Sequence, residues 1–315
     1  MAEWLYESGI GEARAALVID GAIVKARIER DDVHPRCGAV LAARLVEITA
    51  KGREGRVRFD GGEAMLVSLP SGITQGAALT VEILREPIRE AGRDKLARAA
   101  PTDAHPRAAP TLLERIGADA LPVRTCLAHQ SDALEAAGWS EVLEEAITGD
   151  IAFPGGMLRM ITTPAMTLFD VDGSGPLEPL AVAAAQAIAA AIMRHDIGGS
   201  IGIDFPTIAG KAPRQAVAAA IDAGLPQPFE RTAVNGFGFL QIIRRRTRES
   251  LPELLRANSV AACARALLRT IERTPPPVPA LHFVPAPLHA ALAARPDWRD
   301  ALARRTGADI RFEVR

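Results

Sequence analysis

Aromatic residues are nearly missing from this sequence: they make up 4% of its 315 residues, with a single tyrosine. Helices in such a chain have few large anchors, so they are expected to pack through small side chains, and alanine is abundant. Cysteine is scarce too. Cys37, Cys126 and Cys263 are odd in number, far apart, and without a Cys-x-x-Cys or His-rich spacing. That excludes a disulfide framework and a Cys/His zinc module, and leaves reduced, mostly buried thiols in a cytoplasmic protein as the expectation. Nor is there an excess of charge of one sign. With 37 basic and 38 acidic residues, net −1, no global basic field attracts a polyanion, and any nucleic-acid contact has to come from local patches. Long hydrophobic runs are lacking as well. The longest, residues 180–193 (LAVAAAQAIAAAIM), is too short and too alanine-rich for a membrane span and reads as a core helix. The opening MAEWLYESG carries two glutamates where a secretory signal needs a basic start and an apolar core, so neither a leader nor a membrane partner is expected.

What is present is 48% hydrophobic residues, enough for a sizeable core and for about two domains on the usual length prior. Residues 15–29 hold two β-type runs around Asp20-Gly21, a hairpin signal. Short strand-like runs between residues 38 and 98 (AVLAARLVEIT, GRVRFDG, EAMLVSLP, ALTVEILRE) suggest a small antiparallel barrel of the OB type. The Pro- and Ala-rich stretch 99–110 reads as a linker. Helical patterns follow at 111–116, 131–137 and 140–147, then a hairpin-like segment at 151–163. Residues 166–205 show strand, long helix, Gly198-Gly199 stop and second strand, a βαβ pattern. A helix at 213–223, a strand-like 232–234 and an arginine-rich helix at 240–248 come next. The fold expected is therefore α+β and multi-domain: an OB-like β-barrel, an α/β catalytic core with a βαβ unit, and a small αβ C-terminal tail. The boundaries are 1–35 (N-terminal β-hairpin region), 36–100 (barrel), 101–150 (linker and helical segment), 151–255 (core) and 256–315 (C-terminal helix and αβ subdomain).

The chemistry gathers around residues 168–175, LFDVDGSG. An apolar strand that ends in Asp170 and Asp172 either enters an Asp-Gly turn or brings carboxylates to a site. The second strand, IGIDFP, ends in Asp204. Functional groups on parallel strands gather at their carboxyl ends, so neighbouring strands would place Asp170 beside Asp204, with Asp172 two residues further on the same face. Three carboxylates without a cation in sequence reach repel one another unless a hard divalent ion, Mg²⁺ or Mn²⁺, neutralises them. Such an ion polarises a phosphate oxygen and acidifies water. Arg244, Arg245, Arg246 and Arg248 read either as a solvated face or as a phosphate-binding one. Lys211 and Arg214 follow the Asp204 strand and read equally as phosphate contacts or as surface residues. His195 is expected at a helix C-terminus, where its charge suits the dipole.

Two families resemble LFDVDGSG. Asp170-Val171-Asp172-Gly173 is similar to the signature of haloacid dehalogenase-type phosphatases, in which the first aspartate is the nucleophile and the second an acid/base. That family also needs a downstream lysine, for which Lys211 is the candidate, and a later paired-acid motif, which this sequence lacks. The order of hairpin, barrel, LFDVDGS, Ala-rich helix, HDIGG, IGIDF, NGFGFLQIIRRR and SLPELL resembles the bacterial ribonuclease E/G family over most of the chain. The resemblance implies an endoribonuclease that cleaves single-stranded RNA with Mg²⁺ and leaves 5′-phosphate and 3′-hydroxyl ends. Carried over by position, Asp170 and Asp204 are its catalytic, metal-binding aspartates, and Asp172 takes the place of an asparagine as a third ligand. Arg244, Arg246, Lys211 and Arg214 become RNA contacts. Where the family shows RNA-stacking aromatics this sequence has Val57 and Met65, so Phe59 is the barrel's one ring for a base. Only Cys263 stands near the family's zinc-link position, which argues against a zinc-linked oligomer. The stretch between barrel and core is short, so the 5′-monophosphate sensor is expected to be reduced or absent. A binding-only protein is the third reading.

Overall fold

The computed structural model describes residues 1–315 except 50–52, 90–93 and 258. The chain divides into two compact units, each assembled from separate stretches: Met1–Asp32, Leu112–Leu143 and Leu254–Arg315 in one, Val33–Thr111 and Glu144–Glu253 in the other.

In the first unit, β1 (Ala2–Ser8), β2 (Glu12–Ile19) and β3 (Ala22–Arg30) form an antiparallel meander. Asp20 and Gly21 both take positive φ, 51° and 84°, the conformation that a two-residue hairpin turn requires at both central positions. Between them, the barrel strands of the second unit interrupt the chain: β4 (Val40–Ile48), β5 (Gly55–Phe59), β6 (Gly62–Leu66), β7 (Ala78–Arg85) and β8 (Ala97–Pro101). The chain then returns with α1 (Leu112–Gly117), β9 (Val123–Thr125), α2 (Ala133–Ala136) and the start of α3 (Trp139–Thr148). β9 adds to β1 in parallel, giving the order β3-β2-β1-β9. Buried Arg14 in this unit donates to Glu7 (2.9 Å) and Asp132 (2.7 Å), with its guanidinium 5.3 Å from the Trp139 ring centroid. Buried charge is retained only where it is paired in this way.

The barrel closes in the order β4-β5-β6-β8-β7. Along β5 the side chains alternate: Val57 and Phe59 point into the core, while Arg56 and Arg58 lie outside and pair with Glu47 and Glu63. Its last strand, β8, runs on from the expected barrel into residues 99–101, which the sequence reads as linker. ARAAP is small and weakly β-prone, and it becomes a strand because β6 and β7 both offer it a ladder.

The second unit continues from α3 into a six-stranded sheet. Its strands are β10 (Asp150–Phe153), β11 (Gly156–Thr162), β12 (Thr167–Gly173), β13 (Gly199–Asp204), β14 (Phe229–Arg231) and β15 (Phe239–Arg244), in the order β10-β11-β12-β13-β15-β14. Only β12 and β13 run parallel, joined by α4 (Leu177–Arg194); α5 (Lys211–Gly224) follows β13. Leu158, Met160, Phe169, Val171, Ile201, Ile203, Leu240 and Ile242 form the core with Ala181, Ala184, Ala185, Ile188 and Ile192 of α4. Small residues permit this packing, as expected. A Cβ on Gly224 of α5 would lie 2.8 Å from the Cβ of Ala189. Among the described residues α4 is the helix long and apolar enough to cross a membrane, and its buried side chains belong to this core.

Two further expectations change. Residues 240–248 are not a helix: β15 alternates buried Leu240 and Ile242 with Gln241 and Ile243, a period of two, and its arginines only extend the strand's end. The neighbouring strand is Phe229–Arg231 instead of 232–234. Of the cysteines, only Cys126 is buried, and burial pushes its thiol up in pKa; Cys37 is half-buried and Cys263 exposed.

The chain closes in the first unit after α6 (Leu251–Ala257), with α7 (Ser259–Glu272), β16 (Leu281–Val284), α8 (Ala286–Ala293), α9 (Pro296–Thr306) and β17 (Arg311–Val314). β16 and β17 pair in parallel. Buried Arg265 of α7 donates to the Gly11 carbonyl (3.1 Å), pairs with Asp32 (3.1 Å) and lies over the Trp298 ring.

Candidate active site on the open sheet face

Strand pleating gives the six-stranded sheet two unlike faces. One carries the core. On the other, Met157, Arg159, Ile161, Asp170, Asp172, Asp204 and Ile243 are all exposed, so no helix among the described residues covers them. Asp170 and Asp204 are direct register partners on the parallel pair β12 and β13. The register extends across the sheet at that level: Asp150 pairs with Arg159, Arg159 with Asp170, Asp170 with Asp204, and Asp204 with Phe239. Two carboxylates therefore lie side by side, flanked by a cation on one side and an aromatic ring on the other.

Glycine makes this arrangement fit. A Cβ on Gly202, one pleat before Asp204, would lie 2.8 Å from both Leu168 Cδ2 and Phe239 Cζ, and 3.0 Å from Met166 Sδ. Those apolar groups thus cover the sheet next to the aspartates. The chain just past the end of β13 is held as well, where the Phe205 amide donates to the Gly238 carbonyl (3.2 Å).

The three expected carboxylates do not converge equally. Asp172 pairs with Met157, on a strand pleat beyond Asp170, about 6.6 Å further along β12. Among the described residues no group of three His, Cys, Asp or Glu side chains is spaced to hold a metal. The donor set at the site is a pair of adjacent, exposed carboxylates, which suits Mg²⁺, an ion commonly held by one or two carboxylates with waters and substrate phosphate completing the shell. Arg159 is a cation that sequence reading did not place in this row, although the structure ion-pairs it with Asp150 and not with the three expected carboxylates. Its side chain is exposed and 3.4 Å from Asp150, and it neighbours Asp170 across the strands. Sequence reading missed it because register, not spacing, brings it there; the one available signal was the hairpin at 151–163 feeding the Asp170 strand.

The expected RNA contacts separate into two groups. Lys211 and Arg214 lie in the first turn of α5 and line a cavity of about 430 Å³ with Gln215, Arg231 and Val234. Arg214 Nε donates to the Gly210 carbonyl (2.9 Å). The arginines of 244–248 are differently employed. Arg244 donates to the Ile197 carbonyl (3.0 Å) and contacts Met193 Sδ, and burial lowers its pKa. Arg246 pairs with Glu253, whose other oxygen accepts from the Ser250 amide and hydroxyl. A Cβ on Gly198 would lie 2.7 Å from the Arg245 carbonyl, so the Gly-Gly phrase is shaped to this arginine segment. Arg245 alone of these is exposed. Phe59 is 7% exposed and belongs to the barrel core, so it offers no open ring to a base. His195 caps α4 in full burial, with Nε2 3.2 Å from Glu145.

No family model matches the chain. Ribonuclease G of Escherichia coli (strain K12) is 32% identical over 131 residues, covering 38% of this chain and 27% of that protein. Ribonuclease G of Haemophilus influenzae is 32% identical over 130 residues, 38% of this chain and 26% of the relative, and that of Salmonella typhimurium 31% over 131 residues, 38% and 27%. The chain spans about a quarter of the length of these curated relatives. Likeness to these ribonucleases over 38% of its length makes the chain a distant relative of the ribonuclease E/G family.

Proposed function

We propose that the chain is a Mg²⁺-dependent endoribonuclease acting on single-stranded RNA in the cytoplasm, with Mn²⁺ as an alternative ion. The observation that carries this reading is the direct pairing of Asp170 with Asp204 on an open sheet face, in a relative of Ribonuclease G. Asp170 and Asp204 would hold the ion, and Asp172 would reach it through water. The ion, when bound, polarises a phosphate oxygen and lowers the pKa of water. The residues of the chain do the rest: the uncovered face admits a strand, the Leu168-Phe239-Met166 cover limits water on one side of the carboxylates, and Lys211 and Arg214 attract the backbone phosphates. In the reaction, water oxygen forms a bond to phosphorus, the P–O3′ bond breaks, and the departing 3′ oxygen takes a proton, leaving a 5′-phosphate and a 3′-hydroxyl.

A phosphatase using Asp170 as nucleophile and Asp172 as acid/base remains the competing chemistry. The sheet does not favour it, because a doubly wound sheet carries helices on both faces and here one face is open. The discriminating experiment is incubation of the pure protein with labelled single-stranded RNA, with Mg²⁺ or with chelator. Internal cleavage that chelator stops supports the reading. Intact RNA together with phosphate release from a small ester would replace it, and RNA binding without cleavage would reduce the chain to a binding protein.

A further inference from the structure

Phe237 is 84% exposed, more than any other described large hydrophobic residue except Met1. Isolated exposed apolar residues are ordinary, but the backbone under this one is locked. The Asn235 side chain accepts from the amides of Phe237 (2.9 Å) and Phe239 (3.0 Å), and the Asn235 amide donates to the Phe239 carbonyl (3.0 Å). Gly238 takes φ 97°, and a Cβ there would lie 2.2 Å from the Phe205 carbonyl oxygen. The backbone of the turn is thus tied to the residue after Asp204. Phe239, two residues on, is the register partner of Asp204. A cation stands at the same turn: Arg214 Nη1 is 3.7 Å from where a Cβ on Gly236 would be, with its Nε anchored at Gly210.

We propose that Phe237 and Arg214 form a one-nucleotide subsite beside the Asp170–Asp204 pair, in which the ring stacks on an unpaired base and the guanidinium binds the phosphate next to it. A ring face and a guanidinium at one fixed turn is the chemistry that recognises single-stranded nucleotides, and stacking of this kind tolerates any base. The subsite rests on the reading that RNA crosses this face.

Binding is measured with full-length protein on the Asp170→Asn background, so that the oligoribonucleotide survives. Phe237→Ala should weaken single-stranded RNA binding by about 5-fold to 150-fold, the range that loss of one stacked base produces, without changing the melting temperature. An oligonucleotide with one abasic position, moved along the strand, should lose similar affinity for the parent at one position and little more for Phe237→Ala. Phe237→Trp supplies a second readout. Trp4, Trp139 and Trp298 are buried, so the new exposed indole should be quenched by single-stranded RNA and not by the same sequence as a duplex. Unchanged affinity in Phe237→Ala with no abasic effect, while the unsubstituted protein cleaves RNA, overturns the subsite and leaves the nuclease reading standing. Phe237-dependent binding by a protein that never cleaves does the reverse. Absence of RNA binding by the parent overturns both.

Discussion

The two faces of the six-stranded sheet are built from the same strands and differ in everything else. Residues Phe169, Val171, Ile201 and Ile203 face α4 and are buried, whereas Leu168, Asp170, Asp172, Gly202 and Asp204, alternating with them, look outward. A strand period of two lets one short segment serve stability on one side and chemistry on the other. The contrast teaches that substitutions one residue apart should fail in different assays.

The largest effect is expected on the open face. Asp170→Asn or Asp204→Asn removes a charge from the proposed metal site and should lower the cleavage rate about a thousandfold or more, with thermal melting unchanged. Asp172→Asn should be milder, since Asp172 stands a pleat away. Turnover that survives at both Asp170→Asn and Asp204→Asn in saturating Mg²⁺ would sink the metal assignment. On the covered face the same logic inverts. Ile203→Ala deletes a fully buried side chain and should cost about 2–5 kcal/mol of stability, read as a shift in the urea midpoint, while the surviving folded fraction keeps its Mg²⁺ dependence. A specific loss of turnover without loss of stability would break the division between the faces.

The arginines sharpen it further. Each phosphate neutralised on a single strand contributes about 0.7 to the steepness of log affinity against log salt. Lys211→Ala with Arg214→Ala should flatten that slope by about 1.4, twice the single-phosphate value. Arg244→Ala with Arg246→Ala should leave the slope unaltered and lower the urea midpoint instead, because these guanidiniums are held by Ile197 and Glu253. The opposite pattern would return the 244–248 run to the RNA interface. Arg159→Gln tests the cation in the carboxylate row. Cross-strand charge pairs are worth roughly 0.2–1 kcal/mol, so the half-saturating Mg²⁺ concentration should fall by about 1.5-fold to 5-fold, measured by cleavage rate against Mg²⁺ titration. An increase would show that Arg159 helps to hold phosphate at the site. The smallest difference is expected at RNA ends: with the barrel-to-core stretch so short, 5′-triphosphate, 5′-monophosphate and 5′-hydroxyl substrates of one sequence should be cut at similar rates. A strong monophosphate preference in a competition assay would place an end sensor elsewhere in the chain.

By itself the sequence determined the local elements whose signals are short-range. Asp20-Gly21 specified a turn because both positions need positive φ; the Ala-rich run specified a packing helix; and LFDVDG and IGIDF specified strands ending in carboxylates. Tertiary structure decided what depends on pairing across distance. Whether ARAAP is linker or strand depends on two neighbours offering a ladder, and a run of arginines reads alike whether its guanidiniums meet solvent or carbonyls. The inward turn of Phe59 followed from barrel closure, the placing of Arg159 next to Asp170 from a register between strands, and the exposure of Phe237 from hydrogen bonds that converge on Asn235. Backbone propensity acts over a few residues, but register and burial are set only when distant segments share one core, and in this chain the site is made of register.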